Sequence, residues 1–195
     1  MGFLADHCSL HLLTREILDT CQPFSCGNVD LDEFFMEDAM PYKEKLLGQT
    51  YCYLLDDDPR IIVCAFTLSN DSIKVDQLPN SRKKIINSSM PREKQMRRYP
   101  AALIGRLGVN IDYAGKGIGS ELLDFLKKWF VQADNKTGCR YLIVDAYNMP
   151  SVLQYYQRNN FCFLFSTEEQ EATNSSMQLP LKTRYMYYDL IQVQS

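Results

Sequence analysis

The stretch Leu103-Ile104-Gly105-Arg106-Leu107-Gly108-Val109, running on through Tyr113-Ala114-Gly115-Lys116-Gly117-Ile118-Gly119-Ser120, decides how this chain reads. It starts as an apolar strand, crosses a loop with glycine at every second position, and opens a helix. Ile118, Leu122, Leu123, Leu126, Trp129, Phe130 and Ala133 recur there at three- and four-residue steps, the mark of one apolar face. A strand, a glycine-rich loop and a helix N-terminus together make an anion site. Glycines let the backbone approach closely, and N–H groups aligned with the helix dipole point at the anion. The ligand expected is a phosphate. The stretch is no P-loop, because Gly119 is followed by Ser120-Glu121 where that motif needs Lys and then Ser or Thr. Nor is it a dinucleotide fingerprint, which belongs to the first strand of a βαβ unit, whereas this one lies past mid-chain. The glycine spacing alone also suits a tight turn without a ligand, so the flanking elements carry the argument.

Downstream, Tyr141–Tyr147 reads as a buried strand, Pro150–Arg158 as a helix with proline in its first turn, and Phe161–Phe165 as another strand. A polar loop follows over residues 166–180, and a last strand over Arg184–Val193. Upstream, Cys8–Ile17 reads as a short strand running into a turn. Asn28 and Asp30 offer N-caps to a helix carrying Leu31, Phe34, Phe35 and Ala39, which Pro41 should end or kink. Thr50–Leu55 and Ile61–Leu68 form an antiparallel hairpin around the turn-forming Asp56–Arg60. Residues 72–100 lack periodicity. From Arg82 to Arg98 they hold Arg82, Lys83, Lys84, Arg92, Lys94, Arg97 and Arg98 against Glu93. This order predicts an α/β chain with a mixed sheet covered by helices.

Composition sets the outer bounds. With 195 residues, 46% hydrophobic and 23% charged, the chain suits one globular domain, residues 1–195, with 72–100 as a basic insertion. A net charge of −3 gives no case for nucleic acid or an anionic membrane unless a local patch supplies it. No apolar run approaches the roughly 20 residues of a bilayer helix, so no membrane partner is expected. The start, Met1-Gly2-Phe3-Leu4 followed by Asp6, His7 and Cys8, lacks the pattern of a secretory signal. Seven cysteines without CxxC read as free thiols, so a cytoplasmic location is expected. His7 and His11 have no third ligand beside them and predict no metal site.

Leu103 to Ser120 with its helix resembles the acetyl-CoA-binding motif of the GNAT N-acetyltransferase superfamily, with Gly117 and Gly119 at the motif glycines and Ala114 where the family usually has Gln or Arg. Tyr155-Tyr156-Gln157-Arg158-Asn159-Asn160-Phe161 is similar to the family's second motif, Y-x-x-x-G-F. Asn160 stands there for glycine, and Asn tolerates the left-handed turn. The resemblance implies a mostly antiparallel sheet splayed between strands 4 and 5, helices on both faces, and acetyl-CoA as co-substrate. It implies cofactor contacts from Leu107, Gly108, Val109, Gly115, Lys116, Gly117, Ile118, Gly119, Ser120 and Asn148. The Val109 N–H would polarise the thioester carbonyl, and Tyr156 would be the general acid to the CoA thiolate, with Tyr155 as its core or pocket-wall neighbour. A half-buried aromatic with its hydroxyl at the surface is the plain alternative for Tyr156. Asp145 is the nearest candidate base, although an Asp there more often serves a turn.

Phe24-Ser25-Cys26-Gly27-Asn28-Val29-Asp30-Leu31-Asp32-Glu33-Phe34 resembles the entry segment of the GNAT branch that includes toxins of toxin-antitoxin pairs, as does Ile104–Val109. That branch implies aminoacyl-tRNA as acceptor and an antitoxin as partner, with the basic run holding RNA phosphates. Net charge favours a small-molecule or peptide amine instead. A non-catalytic acyl-CoA-binding module is the third reading, and a homodimer fits any of them.

Overall fold

The computed structural model describes residues 2–88, 90, 95–135 and 137–193. Seven strands form one sheet: β1 (Cys8–Leu12), β2 (Gln49–Leu55), β3 (Ile62–Lys74), β4 (Arg98–Val109), β5 (Tyr141–Tyr147), β6 (Cys162–Phe163) and β7 (Thr183–Asp189). Their order is β1-β2-β3-β4-β5-β7-β6. The pairings β1–β2, β2–β3, β5–β7 and β6–β7 are antiparallel, and β4–β5 is parallel. That parallel ladder joins Ala101–Leu103 to Tyr141–Ile143, and both strands extend past it, β4 to Val109 and β5 to Tyr147. The expected mixed α/β architecture is therefore present.

The chain divides into two compact units, Met1–Ser69 with Ile104–Leu126, and Asn70–Leu103 with Lys127–Ser195. In the first unit, α1 (Phe3–His7) precedes β1, so His7 ends a helix and His11 lies in a strand. The turn expected after β1 is instead α2 (Arg15–Thr20), capped by Thr14, whose hydroxyl accepts the Ile17 N–H at 3.3 Å. Asn28 caps α3 (Val29–Glu33) by accepting the Leu31 N–H. The helix then widens into a π-turn over Phe34–Asp38 and continues as α4 (Ala39–Glu44). Pro41 does not end it. The Ala39 N–H bonds to the Phe34 carbonyl five residues back, and Pro41, which has no N–H to give, follows this change of register by two residues. Phe24, Phe34, Phe35, Ala39, Cys52 and Ile62 form the core of this unit, with Phe24 and Phe34 set edge-on to Phe35. Helix α6 (Ile118–Phe130) buries Ile118, Leu122, Leu123 and Leu126, the face expected from its spacing.

In the second unit, residues 72–100 carry far more structure than their sequence suggests. β3 reaches Lys74, α5 spans Asn80–Asn87, and β4 starts at Arg98. The basic side chains Arg92 and Lys94 lie outside the described residues. α7 (Pro150–Arg158) has the expected bounds. β6 is shorter than expected, two residues long, although the Leu164 N–H still donates to the Tyr185 carbonyl of β7 at 2.9 Å. The stretch 166–180 is not all loop, since it holds α8 (Glu168–Ser175). Thr167 and Gln170 form a capping box: the Gln170 N–H donates to the Thr167 hydroxyl at 3.2 Å, and the Gln170 side chain accepts the Ser166 N–H at 2.9 Å. Glu171 and Arg184 form a buried ion pair at 2.7 Å that fastens α8 to β7. Among the described residues no helix is long and apolar enough to cross a membrane, and all seven cysteines are free thiols.

Candidate active site

The first unit builds the end of β4 and the glycine loop. The Asn110 N–H donates to the Val63 carbonyl of β3 at 2.9 Å. N–H groups alternate between the two edges of an extended strand, so the Val109 N–H is turned away from β3. Gly108 is buried, and a Cβ added there would lie 3.1 Å from Cys26 Cβ, Cys26 Sγ and Phe35 Cε2. Its lack of a side chain therefore answers a close approach from within the protein.

Asp32 organises that approach. Its carboxylate accepts the Cys26 N–H and the Ser25 hydroxyl, both at 2.7 Å, while the Ser25 carbonyl accepts the Ile111 N–H at 2.9 Å. Burial works to raise the Asp32 pKa, but hydrogen bonds from Cys26, Ser25 and Gly27 outweigh it and hold the carboxyl below its ordinary value. The segment Phe24–Phe34 thus props the far end of β4. The Asp sits within the quoted motif, but its partners are set by a fold-back that no linear spacing displays.

A 3₁₀ turn (Ile111–Tyr113) leads into the loop. Gly115 and Gly117 have φ of +75° and +81°, which side-chain-bearing residues rarely adopt, and a Cβ on either would meet nothing within 4 Å. The loop is thus shaped by backbone conformation and leaves open space in front of it, as a phosphate cradle requires. Helical bonding starts with the Glu121 N–H donating to the Gly117 carbonyl at 3.1 Å, so Ile118 and Gly119 lie in the turn ahead of the first helical bond. Lys116 folds back, Nζ donating to the Asp112 carbonyl at 3.0 Å and lying 4.9 Å above the Tyr113 ring, which keeps a positive charge on the loop. Ser120 occupies the first turn of α6, partly buried. Helix α1 supports the loop in two places unforeseen from sequence: Phe3 packs on Tyr113 at 5.7 Å, and Glu121 accepts the Ala5 N–H at 3.1 Å. Leu107 is partly buried on β4.

The second unit carries the phenol. Tyr156 is 8% exposed on α7, with its ring edge-on to Tyr155 at 5.0 Å and Phe161 at 5.4 Å. Burial pushes its pKa well above the usual tyrosine range, so the phenol keeps its proton. Tyr155, expected as the core or pocket-wall neighbour, is the less buried of the two, because the inner face of α7 falls on Tyr156 and Asn159. Asn160 adopts φ of +63°, the left-handed turn that an Asn in place of glycine predicts. Asn148 donates from Nδ2 to Glu168 Oε1 (3.0 Å) and to the Leu181 carbonyl (2.9 Å), so its NH₂ group ties β5 to α8. Asp145 is exposed on β5 opposite Tyr185.

Several solved structures share this fold across nearly the whole chain. The AtaT protein complexed with acetyl-methionyl-tRNAfMet aligns with a TM-score of 0.71 and 16% identity, covering 96% of this chain and 97% of that one. A tyrosine-to-phenylalanine variant of KacT aligns at 0.70 and 16%, covering 97% and 98%. A like variant of the AtaT toxin, bound to the C-terminus of the antitoxin AtaR and acetyl-CoA, aligns at 0.64 and 15%, covering 97% of both chains. The strand, glycine loop and helix described above lie inside the segment 15–161, which matches the model of the acetyltransferase (GNAT) family, and the chain belongs to that family.

Proposed function

We propose that this chain transfers the acetyl group of acetyl-CoA to a primary amine by direct attack, and that the amine is the amino group of an aminoacyl-tRNA. The observation that carries the first half is the loop itself, where Gly115 and Gly117 hold positive φ before open space at the start of α6. Its residues fit a pyrophosphate, which the amides from Gly115 to Ser120 would bind, Lys116 adding charge. Acetyl-CoA supplies an acetyl group activated as a thioester. The Val109 N–H, directed away from β3, would stabilise negative charge developing on the carbonyl oxygen. Burial favours the protonated Tyr156 phenol, from which Oη would give its proton to the leaving sulfur. Leu107 and Gly108 share β4 with Val109 and would line the cofactor there, as Asn148 would beside β5.

The acceptor rests on other ground. Net charge leans toward a small amine, whereas the likeness to AtaT with acetyl-methionyl-tRNAfMet and to a toxin with its antitoxin supports charged tRNA and a protein antitoxin. The test is mass spectrometry of purified protein mixed with acetyl-CoA and pools of small amines, peptides and charged tRNA. The expected product is an N-acetylated aminoacyl-tRNA. Faster acetylation of a small amine overturns the acceptor, and acetyl-CoA binding without any product overturns the enzyme reading in favour of a binding module.

A further inference from the structure

We propose that α1 is a positioning element for acetyl-CoA: it holds one charge, the Lys116 ammonium, on the glycine loop and draws another, the Glu121 carboxylate, away from the amides a pyrophosphate would use. This role rests on the reading of that loop as the pyrophosphate site, and all its residues belong to the first unit. Helix α1 is short but anchored, since Leu4 is 2% exposed and the buried Cys8 opens β1 directly behind it. Phe3 touches two rings, with His7 at 5.2 Å and Tyr113 at 5.7 Å. The Lys116 ammonium lies 4.9 Å above that same Tyr113 ring and donates to the Asp112 carbonyl at 3.0 Å. An exposed lysine loses rotamer freedom in holding one place, so a ring braced by Phe3 leaves less for a phosphate contact to order.

Glu121 is an acid beside an anion site. It sits in the first turn of α6, where the helix dipole favours a carboxylate and the side chain can fold back onto the leading N–H groups. Those N–H groups are the ones assigned to the pyrophosphate, so a carboxylate there competes for donors and repels the ligand. Helix α1 gives it another partner. Glu121 Oε1 accepts the Ala5 N–H at 3.1 Å, and the three atoms nearest to a Cβ built on Gly2 all belong to the Glu121 carboxyl group, each under 3.0 Å away. The Gly2 backbone is extended, with φ of −131°, which any residue adopts, so glycine there answers this close approach and not a turn. Burial raises the Cys8 thiol and the Tyr53 phenol, and the Glu121 charge adds to both shifts, which places the carboxylate on the side of β1 and β2.

Calorimetry with acetyl-CoA tests both charges as double-mutant cycles, with each variant's melting temperature recorded beside it. Gly2→Ala pushes the carboxylate off the Ala5 N–H without straining the backbone, and binding should weaken about two- to fivefold, the scale of one charge at a helix end. Made in E121Q, the same change should leave affinity where E121Q has it, because the displaced amide carries no charge. Phe3→Ala unbraces Tyr113 and should weaken binding about two- to fivefold, the scale of one exposed cation–π contact, but should have no effect in K116A. Phe3→Leu keeps most of the apolar volume without the ring and takes its place where Phe3→Ala lowers the melting temperature. Coupling of this kind in both pairs supports the proposal. Unchanged affinity in either single variant, or additive losses in either pair, makes α1 a structural element only and overturns it. If the unaltered protein does not bind acetyl-CoA at all, the reading of the loop falls first, and the role of α1 with it.

Discussion

Replacing Gly108 by alanine tests whether this glycine is needed for packing or for a ligand. The new methyl would sit 3.1 Å from Cys26 Cβ, Cys26 Sγ and Phe35 Cε2, each closer than ordinary van der Waals contact by a few tenths of an ångström. All three atoms belong to buried or half-buried side chains, and Cys26 is pinned through its N–H by Asp32, so the neighbours yield little. Overpacking of this kind costs about 1–3 kcal/mol. For a chain of this length that lowers the melting temperature by roughly 2–12 °C, at about 2–4 °C per kcal/mol. Thermal melts of G108A, C26G and G108A/C26G form a cycle, because C26G removes two of the three close contacts. The two changes should couple, with alanine at 108 costing at least 0.5 kcal/mol less when Cys26 is glycine. Strict additivity, or an unaltered melting temperature in G108A together with weakened acetyl-CoA binding, would refute the packing argument and make Gly108 a ligand contact.

Tyr156→Phe should keep acetyl-CoA affinity by calorimetry and lower single-turnover rates by about 10²-fold, since the ring still packs while the proton is lost; an unchanged rate moves the role to Tyr155 or Tyr147. Arg82→Ala leaves the Phe163 and Leu164 carbonyls without their charged donor, and two such bonds imply a loss of about 2–5 kcal/mol in urea unfolding, against no measurable change for the exposed Lys84→Ala. Stability should also fall in alkali. Burial raises the Cys52 thiol from 9.0 to about 12, so its contribution is complete below pH 9 and declines by about 1.4 kcal/mol per pH unit above it; Cys8, raised to about 11, acts in the same sense. Urea midpoints under reducing conditions that stay level from pH 8 to 10.5 would contradict this.

What the sequence determined by itself was whatever depends on neighbours along the chain. The apolar steps of α6, the bounds of β5 and α7, the hairpin, and the loop at Gly115 and Gly117 all follow from local period and backbone freedom, and membership of the GNAT family follows from the same stretch. The helix α8 was also legible, in the capping box of Thr167 and Gln170, but its polar composition hid it. Tertiary structure alone decided the rest. Arg82 reads as one more charge in a basic run until Phe163 and Leu164, some eighty positions away, present their carbonyls to it. Gly108 reads as a ligand contact, and only the fold shows that Cys26 and Phe35 also close against it, while Tyr156 takes the buried side of its helix with Phe161 packed on its ring. The division has a physical cause: periodicity records which side of an element is apolar, whereas the partner of a buried polar group or a missing side chain is fixed by which distant segment the packed core brings beside it.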